Sequence, residues 1–144
     1  MNRRLRLLAV AAPAAVLLAA AVPKLIRPDA FALAVFRYQL FPHGTVNALA
    51  VFVPWLELCV ALSLLLCPRL RRGAALLALG LLGAFSLAVA VNLLRGLHTA
   101  CGCFSVAPDA APAGWGHVAG NLALAALCAW WLRTERPRAL PPPP

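Results

Sequence analysis

A Cys-Gly-Cys pair, Cys101-Gly102-Cys103, is the feature of this sequence best suited to covalent chemistry. A disulfide requires Cα atoms about 4.4–6.8 Å apart, which residues i and i+2 reach in a bent backbone. Gly102 lacks a Cβ atom and therefore permits such a bend. Because so small a ring is strained, and strained disulfides exchange readily, the pair is predicted to cycle between dithiol and disulfide.

Two other interpretations of the Cys-Gly-Cys pair stay open. The cysteines would form a static staple within their loop, or they would bind a metal together with His98 or His117. Zinc sites usually have four ligands and a wider cysteine spacing, such as C-x₂₋₄-C. The motif is therefore a weak metal signal, and we predict no metal site.

Charged residues near the pair would support redox chemistry. Arg95 and His98 are cationic neighbours in the sequence, and such neighbours favour a thiolate. Arg95 would stabilise the thiolate, while Glu57 or His98 would transfer protons. A quinone held between the helices would accept electrons, although no sequence signature indicates one.

Glu57 is the only carboxylate within a long apolar segment. Such a charge is costly in a membrane, so it usually faces the protein interior, where it is paired or protonated. It would serve proton transfer or thiol activation, or it would clamp helices together, and the sequence favours neither role. Its candidate partners end other apolar segments: Lys24, Asn92, Arg95 and Asn121. We expect the two asparagines to hydrogen-bond between helices.

The three remaining cysteines, Cys59, Cys67 and Cys128, lie in apolar segments and are expected to be small buried hydrophobic residues. The alternative for Cys59 and Cys128 is a second redox position. Both would lie roughly 15–20 Å below the outer membrane face at about 1.5 Å per helical residue, too deep to meet Cys101. His98 and His117 are expected to be solvated loop residues.

The elements that must position these residues are apolar helices. Hydrophobic residues make up 63% of the chain and charged residues 12%, whereas a soluble domain is about 45–50% apolar and a quarter charged. Runs of about 18 or more apolar residues cross a bilayer core of about 30 Å. We predict an all-α integral membrane four-helix bundle, a single domain over residues 1–135 before a disordered Pro-rich tail at 136–144. The predicted spans are approximately 5–26, 46–67, 73–94 and 118–132.

Between the first two spans, the aromatic stretch at residues 31–41 is too short to cross a membrane, so we predict a short interfacial helix there. The cationic start and the small residues at 19–21 are also typical of a cleaved signal peptide. Continuation of the apolar run to Ile26 favours a retained helix instead.

The basic residues predict the topology. The net charge is +9, yet the cations lie at the ends of apolar runs, which indicates membrane orientation and not nucleic-acid binding. Nine would share one side and four the other, so the positive-inside rule puts both termini in the cytoplasm of a bacterial cell with the Cys-Gly-Cys loop facing outward across the inner membrane. The nine are Arg3, Arg4, Arg6, Arg69, Arg71, Arg72, Arg133, Arg136 and Arg138, and the four are Lys24, Arg27, Arg37 and Arg95.

Several short motifs occur in a characteristic order: Lys24-Leu-Ile-Arg-Pro28, Tyr38-Gln-Leu-Phe-Pro42, Pro54-Trp-Leu-Glu-Leu58, Asn92-Leu-Leu-Arg-Gly96 and Cys101-Gly-Cys-Phe104. Together, over residues 8–132, they resemble the MauE family of methylamine-utilisation membrane proteins, often grouped with DoxX-like proteins. The resemblance implies four membrane helices and a link to maturation of a disulfide-rich periplasmic dehydrogenase subunit with a thioredoxin-like partner. It marks as functional Lys24, Glu57, Asn92, Arg95, Gly96, Cys101, Gly102 and Cys103. Ser105 departs from the family pattern, which commonly has Gly there.

These observations predict a membrane thiol–disulfide oxidoreductase or electron relay for the maturation of extracytoplasmic proteins. One alternative is a non-enzymatic scaffold or chaperone for a secreted enzyme, with the Cys-Gly-Cys pair as a loop staple. Another is a small-molecule or ion carrier that uses Glu57.

Overall fold

The computed structural model describes residues 3–97 and 112–135, which fold into five α-helices. They are α1 (Arg3–Ile26), α2 (Pro28–Arg37), α3 (His43–Leu66), α4 (Arg71–Leu94) and α5 (Trp115–Thr134). The predicted all-α class is thus confirmed for this part of the chain. Eight residues named above lie outside the described residues: His98, Cys101, Gly102, Cys103, Phe104, Ser105, Arg136 and Arg138. The predicted tail at 136–144 also lies outside them.

Within the described ranges, three helices are long and apolar enough to cross a membrane: α1, α3 and α4. At about 1.5 Å per residue, a 24-residue helix is about 36 Å long, which exceeds a bilayer core of about 30 Å. α5 has 20 residues and is not among the three. His117 and Asn121 make its first turns polar, and the fourth predicted span therefore stays a prediction.

The long helices pack as two pairs. α1 packs along α3 and α4 along α5, while contacts of α3 with α4 and of α1 with α5 join the pairs. Alanines at the centre, including Ala14, Ala61 and Ala78, are fully buried. Such small residues allow helix backbones to approach closely, which is how helices associate without a hydrophobic driving force.

The short helix α2 begins with Pro28 in its first turn, where a missing backbone N–H costs nothing. The chain leaves α2 through Gln39, whose φ of 49° is in the left-handed region. α2 packs on α3 and more lightly on α1. A short helix is thus present where one was predicted, although it covers Pro28–Arg37 and not residues 31–41; its position at a membrane interface stays a prediction.

One end of the molecule, here called the arginine end, brings together the starts of α1 and α4 and the ends of α3 and α5. Arg71 Nε donates to the Leu64 carbonyl at 2.8 Å, which satisfies a free carbonyl at the end of α3. Arg72 Nη1 donates to the Glu135 carbonyl at 2.6 Å, and Arg6 Nη1 lies 3.5 Å from Glu135 Oε1. Arg6, Arg71 and Arg72, which were predicted to share one side of a membrane, therefore share one end of the fold.

Candidate functional site

A buried ion pair joins α1 to α3. Lys24 Nζ donates to Glu57 Oε1 at 2.6 Å, and the two side chains are 1% and 0% exposed. Lys24 lies in the last turn of α1, whereas Glu57 lies in the interior of α3. Of the four candidate partners for Glu57, Lys24 is the one that hydrogen-bonds to it within the described ranges. The buried, paired state expected of this carboxylate is thus present.

Two aromatic rings flank the Lys24 ammonium. Nζ lies 5.0 Å from the ring centroid of Phe31 in α2 and 4.8 Å from that of Phe85 in α4. A cation within about 6 Å of a ring face is attracted by the ring quadrupole, most strongly when desolvated. Side chains from α1, α2, α3 and α4 therefore converge on one ammonium group.

The second carboxylate oxygen of Glu57, Oε2, is buried and has no hydrogen-bond partner among the described residues. A buried acceptor without a partner costs about 1–3 kcal/mol, and more when it is charged. Glu57 therefore keeps the capacity to accept one more hydrogen bond or a proton. Pro54, one turn earlier in α3, is also fully buried.

A cavity of about 240 Å³ opens beside the ammonium. It lies between α2 and α4, which make no direct backbone contact within the described ranges, and α3 forms a third wall. Its surface is almost entirely apolar. The side chains that bear on its chemistry are Lys24, Phe31, Tyr38, Val53, Phe85 and Val89. The arrangement is a hydrophobic chamber with one cation in its wall.

The end of α4 is fastened to the end of α2. Arg95 Nη1 donates to the carbonyls of Tyr38 and Gln39 at 3.4 and 3.5 Å. Gly96 has a φ of +70°, which terminates α4 and favours glycine, and the N–H of Leu97 donates to the Asn92 carbonyl at 3.0 Å. Arg95 thus contacts the backbone beside the cavity, and its predicted role toward a thiolate stays a prediction.

The remaining polar candidates within the described residues, Asn92, His117 and Asn121, are buried or half-buried on α4 and α5. Asn92 is 2% exposed, in the last turn of α4, and Asn121 is half-buried in α5. The expectation that His117 is a solvated loop residue is wrong, because α5 begins two residues earlier, at Trp115. The half-buried His117 Nδ1 accepts the Gly114 N–H at 3.2 Å, so this side chain satisfies a donor at the helix start.

The expectation of burial is confirmed for Cys128 and is wrong for Cys59 and Cys67, which are exposed. The buried face of α3 includes Val60 and Ala61, and Cys59 falls on the opposite side of the helix. Cys67 follows the last residue of α3 and lies at the arginine end.

Three parts of this site were missing from the sequence-based prediction: Phe31, Phe85 and the cavity. Phe31 lies seven residues after Lys24, two helical turns away, but the break at Arg27 between α1 and α2 makes that spacing uninformative. Phe85 is one of many apolar residues in α4, and no local pattern distinguishes it. The cavity arises from the placement of α2 against α3, which is a tertiary feature.

Comparison with known proteins identifies relatives over most of the chain. The family model described as methylamine utilisation protein MauE matches residues 2–134. The methylamine utilization protein MauE of Methylophilus methylotrophus is 44% identical over 115 residues, which is 79% of this chain and 60% of that protein. The MauE protein of Methylorubrum extorquens is 39% identical over 129 residues, 87% of this chain and 68% of that protein.

The MauE protein of Paracoccus denitrificans is 36% identical over 124 residues, 85% of this chain and 65% of that protein. The chain thus spans roughly two thirds of the length of these curated relatives. No solved structure matches the chain significantly. Since the family model extends over nearly the whole sequence and the motifs around Lys24 and Glu57 form one buried site, the chain belongs to the MauE family of methylamine utilisation proteins.

Proposed function

We propose that this MauE-family protein is a membrane thiol–disulfide exchange protein that serves the maturation of an extracytoplasmic protein in methylamine utilisation. Cys101 and Cys103 are the exchanging pair, and an extracytoplasmic thioredoxin-like protein is the partner. The observation behind the proposal is the location of the pair in the sequence: Cys101 follows Leu97 by four residues, directly after the α4 end that Arg95 fastens to α2. Arg95 thus fixes the chain at a point close in sequence to the pair.

The exchange proceeds through a mixed disulfide. A thiolate of the partner attacks one sulfur of the Cys101–Cys103 disulfide, forming one intermolecular S–S bond and releasing the other cysteine as a thiolate, which takes up a proton. The second partner thiol loses its proton and attacks the partner's own sulfur in the intermolecular bond, which releases the second cysteine of the pair as a thiolate that takes up a proton. The partner ends as a disulfide and the pair as a dithiol, so two electrons and two protons have passed between the proteins. The reverse sequence runs by the same steps.

The buried ion pair has a supporting role in this proposal. Lys24 and Glu57 hold α1 against α3, and the rings of Phe31 and Phe85 hold α2 and α4 to the same ammonium. The free acceptor capacity of Glu57 Oε2 suits a proton-holding group during exchange, with His98 as the second proton-transfer group.

The topology that this function requires has the Cys-Gly-Cys pair outside and both termini in the cytoplasm. We infer four spans, with α5 as the fourth, in the inner membrane of a bacterial cell. The grouping of Arg6, Arg71 and Arg72 at the arginine end supports this orientation, because Lys and Arg concentrate on the cytoplasmic side of membrane proteins.

Trapping of the mixed disulfide tests the exchange. Each of the variants Cys101→Ser and Cys103→Ser keeps one cysteine of the pair. In membranes, a mixed disulfide between that cysteine and the partner should persist, because the second cysteine that would attack it is missing. At least one variant should therefore accumulate a covalent adduct with a thioredoxin-like protein, visible on non-reducing gels and lost on reduction. Cys59→Ser, which removes an exposed cysteine elsewhere, is the matched control and should form no new adduct.

A non-enzymatic scaffold is the second candidate, favoured by the complete burial of the Lys24–Glu57 pair, which suits a structural clamp. In that case a Cys101→Ala/Cys103→Ala double variant still supports maturation of the secreted enzyme, and neither single variant forms an adduct. That pair of results would overturn the exchange proposal.

A further inference from the structure

We propose that the cavity between α2 and α4 binds the ring of a membrane-soluble quinone, whose carbonyl oxygen accepts a hydrogen bond from Lys24. Binding pockets for small molecules are mostly apolar, with a few polar groups that fix the ligand's orientation. This cavity has that composition, since its walls are aliphatic and aromatic and Lys24 is the one charged side chain among the described residues that line it.

The Lys24 ammonium has hydrogen-bonding capacity to spare. It offers three N–H donors. Within the described residues, Glu57 Oε1 takes one of them, and the other neighbours of the ammonium are the ring faces of Phe31 and Phe85. A ligand oxygen in the cavity would accept a hydrogen bond from a buried donor for which the described residues supply no acceptor.

The charge balance selects a neutral ligand. Glu57 already neutralises Lys24 at 2.6 Å, so a phosphate or carboxylate in the cavity would add an uncompensated negative charge in an apolar setting. Burying such a charge is costly. A carbonyl oxygen accepts a hydrogen bond from the ammonium without that cost.

The size and the surroundings of the cavity select an apolar ring from the bilayer. An apolar protein cavity of about 150 Å³ binds benzene, so about 240 Å³ accommodates one substituted ring. Phe31, Tyr38 and Phe85 offer aromatic surfaces to it. Leu33 and Phe36 on α2, together with Phe52 on α3, are exposed, so the outer surfaces of two helices that line the cavity are apolar. A lipid-soluble molecule therefore suits these surroundings.

This inference deepens the proposed function, and its redox part rests on that function. The Cys101–Cys103 dithiol would give up two electrons and two protons and become a disulfide, while the bound quinone would take them up and leave as a quinol. The end of α4, which precedes the Cys-Gly-Cys pair in the sequence, lies beside the cavity, since Arg95 hydrogen-bonds to the carbonyl of Tyr38, a lining residue.

Direct binding of a decyl-tailed benzoquinone to the full chain in phosphatidylcholine vesicles tests the site. Binding should saturate at one quinone per chain, and a photoreactive azido derivative should label α2 or α4. Ala84→Phe and Ala88→Phe, which fill the cavity, should each weaken binding at least tenfold. Ala126→Phe adds the same side chain at an exposed position of α5 and should leave binding unchanged.

Removal of the cation tests the hydrogen bond. Lys24→Met/Glu57→Gln replaces both charges with neutral side chains of similar size, and it should weaken binding by about tenfold, the effect of about 1.4 kcal/mol. Equal binding by Ala84→Phe and the native chain, or equally tight binding of decylbenzene, which lacks the carbonyl oxygens, would overturn the proposal. The second result would identify an apolar-chain site.

The two proposals fail in different ways. If the Cys101→Ser/Cys103→Ser variant still binds quinone while neither single cysteine variant forms a mixed disulfide, the quinone site is supported and the exchange function is overturned. A mixed disulfide in a protein that binds no quinone has the opposite meaning.

Discussion

Two ion pairs in the described part of this molecule join elements far apart in the sequence, and they differ in length and in exposure. At the arginine end, Arg6 and Glu135 lie 3.5 Å apart with side chains 42% and 34% exposed. Inside the bundle, Lys24 and Glu57 lie 2.6 Å apart and are almost completely buried. Exposed pairs contribute about 0–1 kcal/mol, whereas breaking a buried pair costs about 3–5 kcal/mol. The exposed charges at the arginine end suit the orientation of the protein in a membrane, whereas the buried pair suits a specific functional site.

The largest effect should follow removal of one member of the buried pair. Glu57→Leu leaves the Lys24 ammonium buried without its carboxylate, and the free energy of unfolding should fall by about 3–5 kcal/mol. The Lys24→Met/Glu57→Leu double variant should lose less than Glu57→Leu alone, because neither charge remains. Denaturant titration in detergent micelles measures both. Additive losses from the two single substitutions would show that the pair is not coupled.

An intermediate effect is expected at the end of α4. Gly96→Ala forces an L side chain to adopt a φ of +70°, which should cost about 1–2 kcal/mol and loosen the contact of Arg95 with α2. Gly80→Ala is the matched control, since this glycine is exposed within α4, has no positive φ and has open space at its Cβ. The same unfolding titration distinguishes the two. Equal stability of both variants would contradict the backbone argument.

The smallest effect should occur at the arginine end. Glu135→Gln removes the carboxylate that faces Arg6 but keeps the carbonyl that accepts from Arg72. The free energy of unfolding should change by less than about 1 kcal/mol, and less still at high salt, because the pair is exposed to solvent. If the free energy of unfolding fell as much as in Glu57→Leu, the distinction between the exposed and the buried ion pair would be wrong.

Much of the fold could be predicted from simple patterns. The apolar blocks located α1, α3 and α4 to within a few residues, because a helix that crosses a bilayer requires a long unbroken run of one composition. The chemical type of the Glu57 partner was also predictable, because a carboxylate in an apolar segment needs a cation and few lysines or arginines lie near the ends of the other apolar segments. Lys24 was one of four candidates, and only the packing of α1 on α3 distinguishes it.

Other parts of the site depended on features that have no local pattern. The exposure of Cys59 follows from which face of α3 meets α1, and α3 is too uniformly apolar for the sequence to identify that face. The contact of Arg95 with the carbonyls at residues 38 and 39 depends on where α2 ends, since those are backbone acceptors. The cavity exists because α2 rests on α3 and stands apart from α4, a relation between helices far apart in the sequence.

The hydrogen bonds from Arg95 to the end of α2 have a thermodynamic consequence. They join the end of α4, which precedes the Cys-Gly-Cys pair in the sequence, to a wall of the cavity, so the two proposed binding events share one structural contact. If a partner protein binds more tightly when Arg95 leaves those carbonyls, it changes the affinity of the cavity for its ligand by some factor. Linkage then requires the ligand to change the affinity for the partner by the same factor. A single arginine would thus make the membrane ligand and the soluble partner effectors of one another.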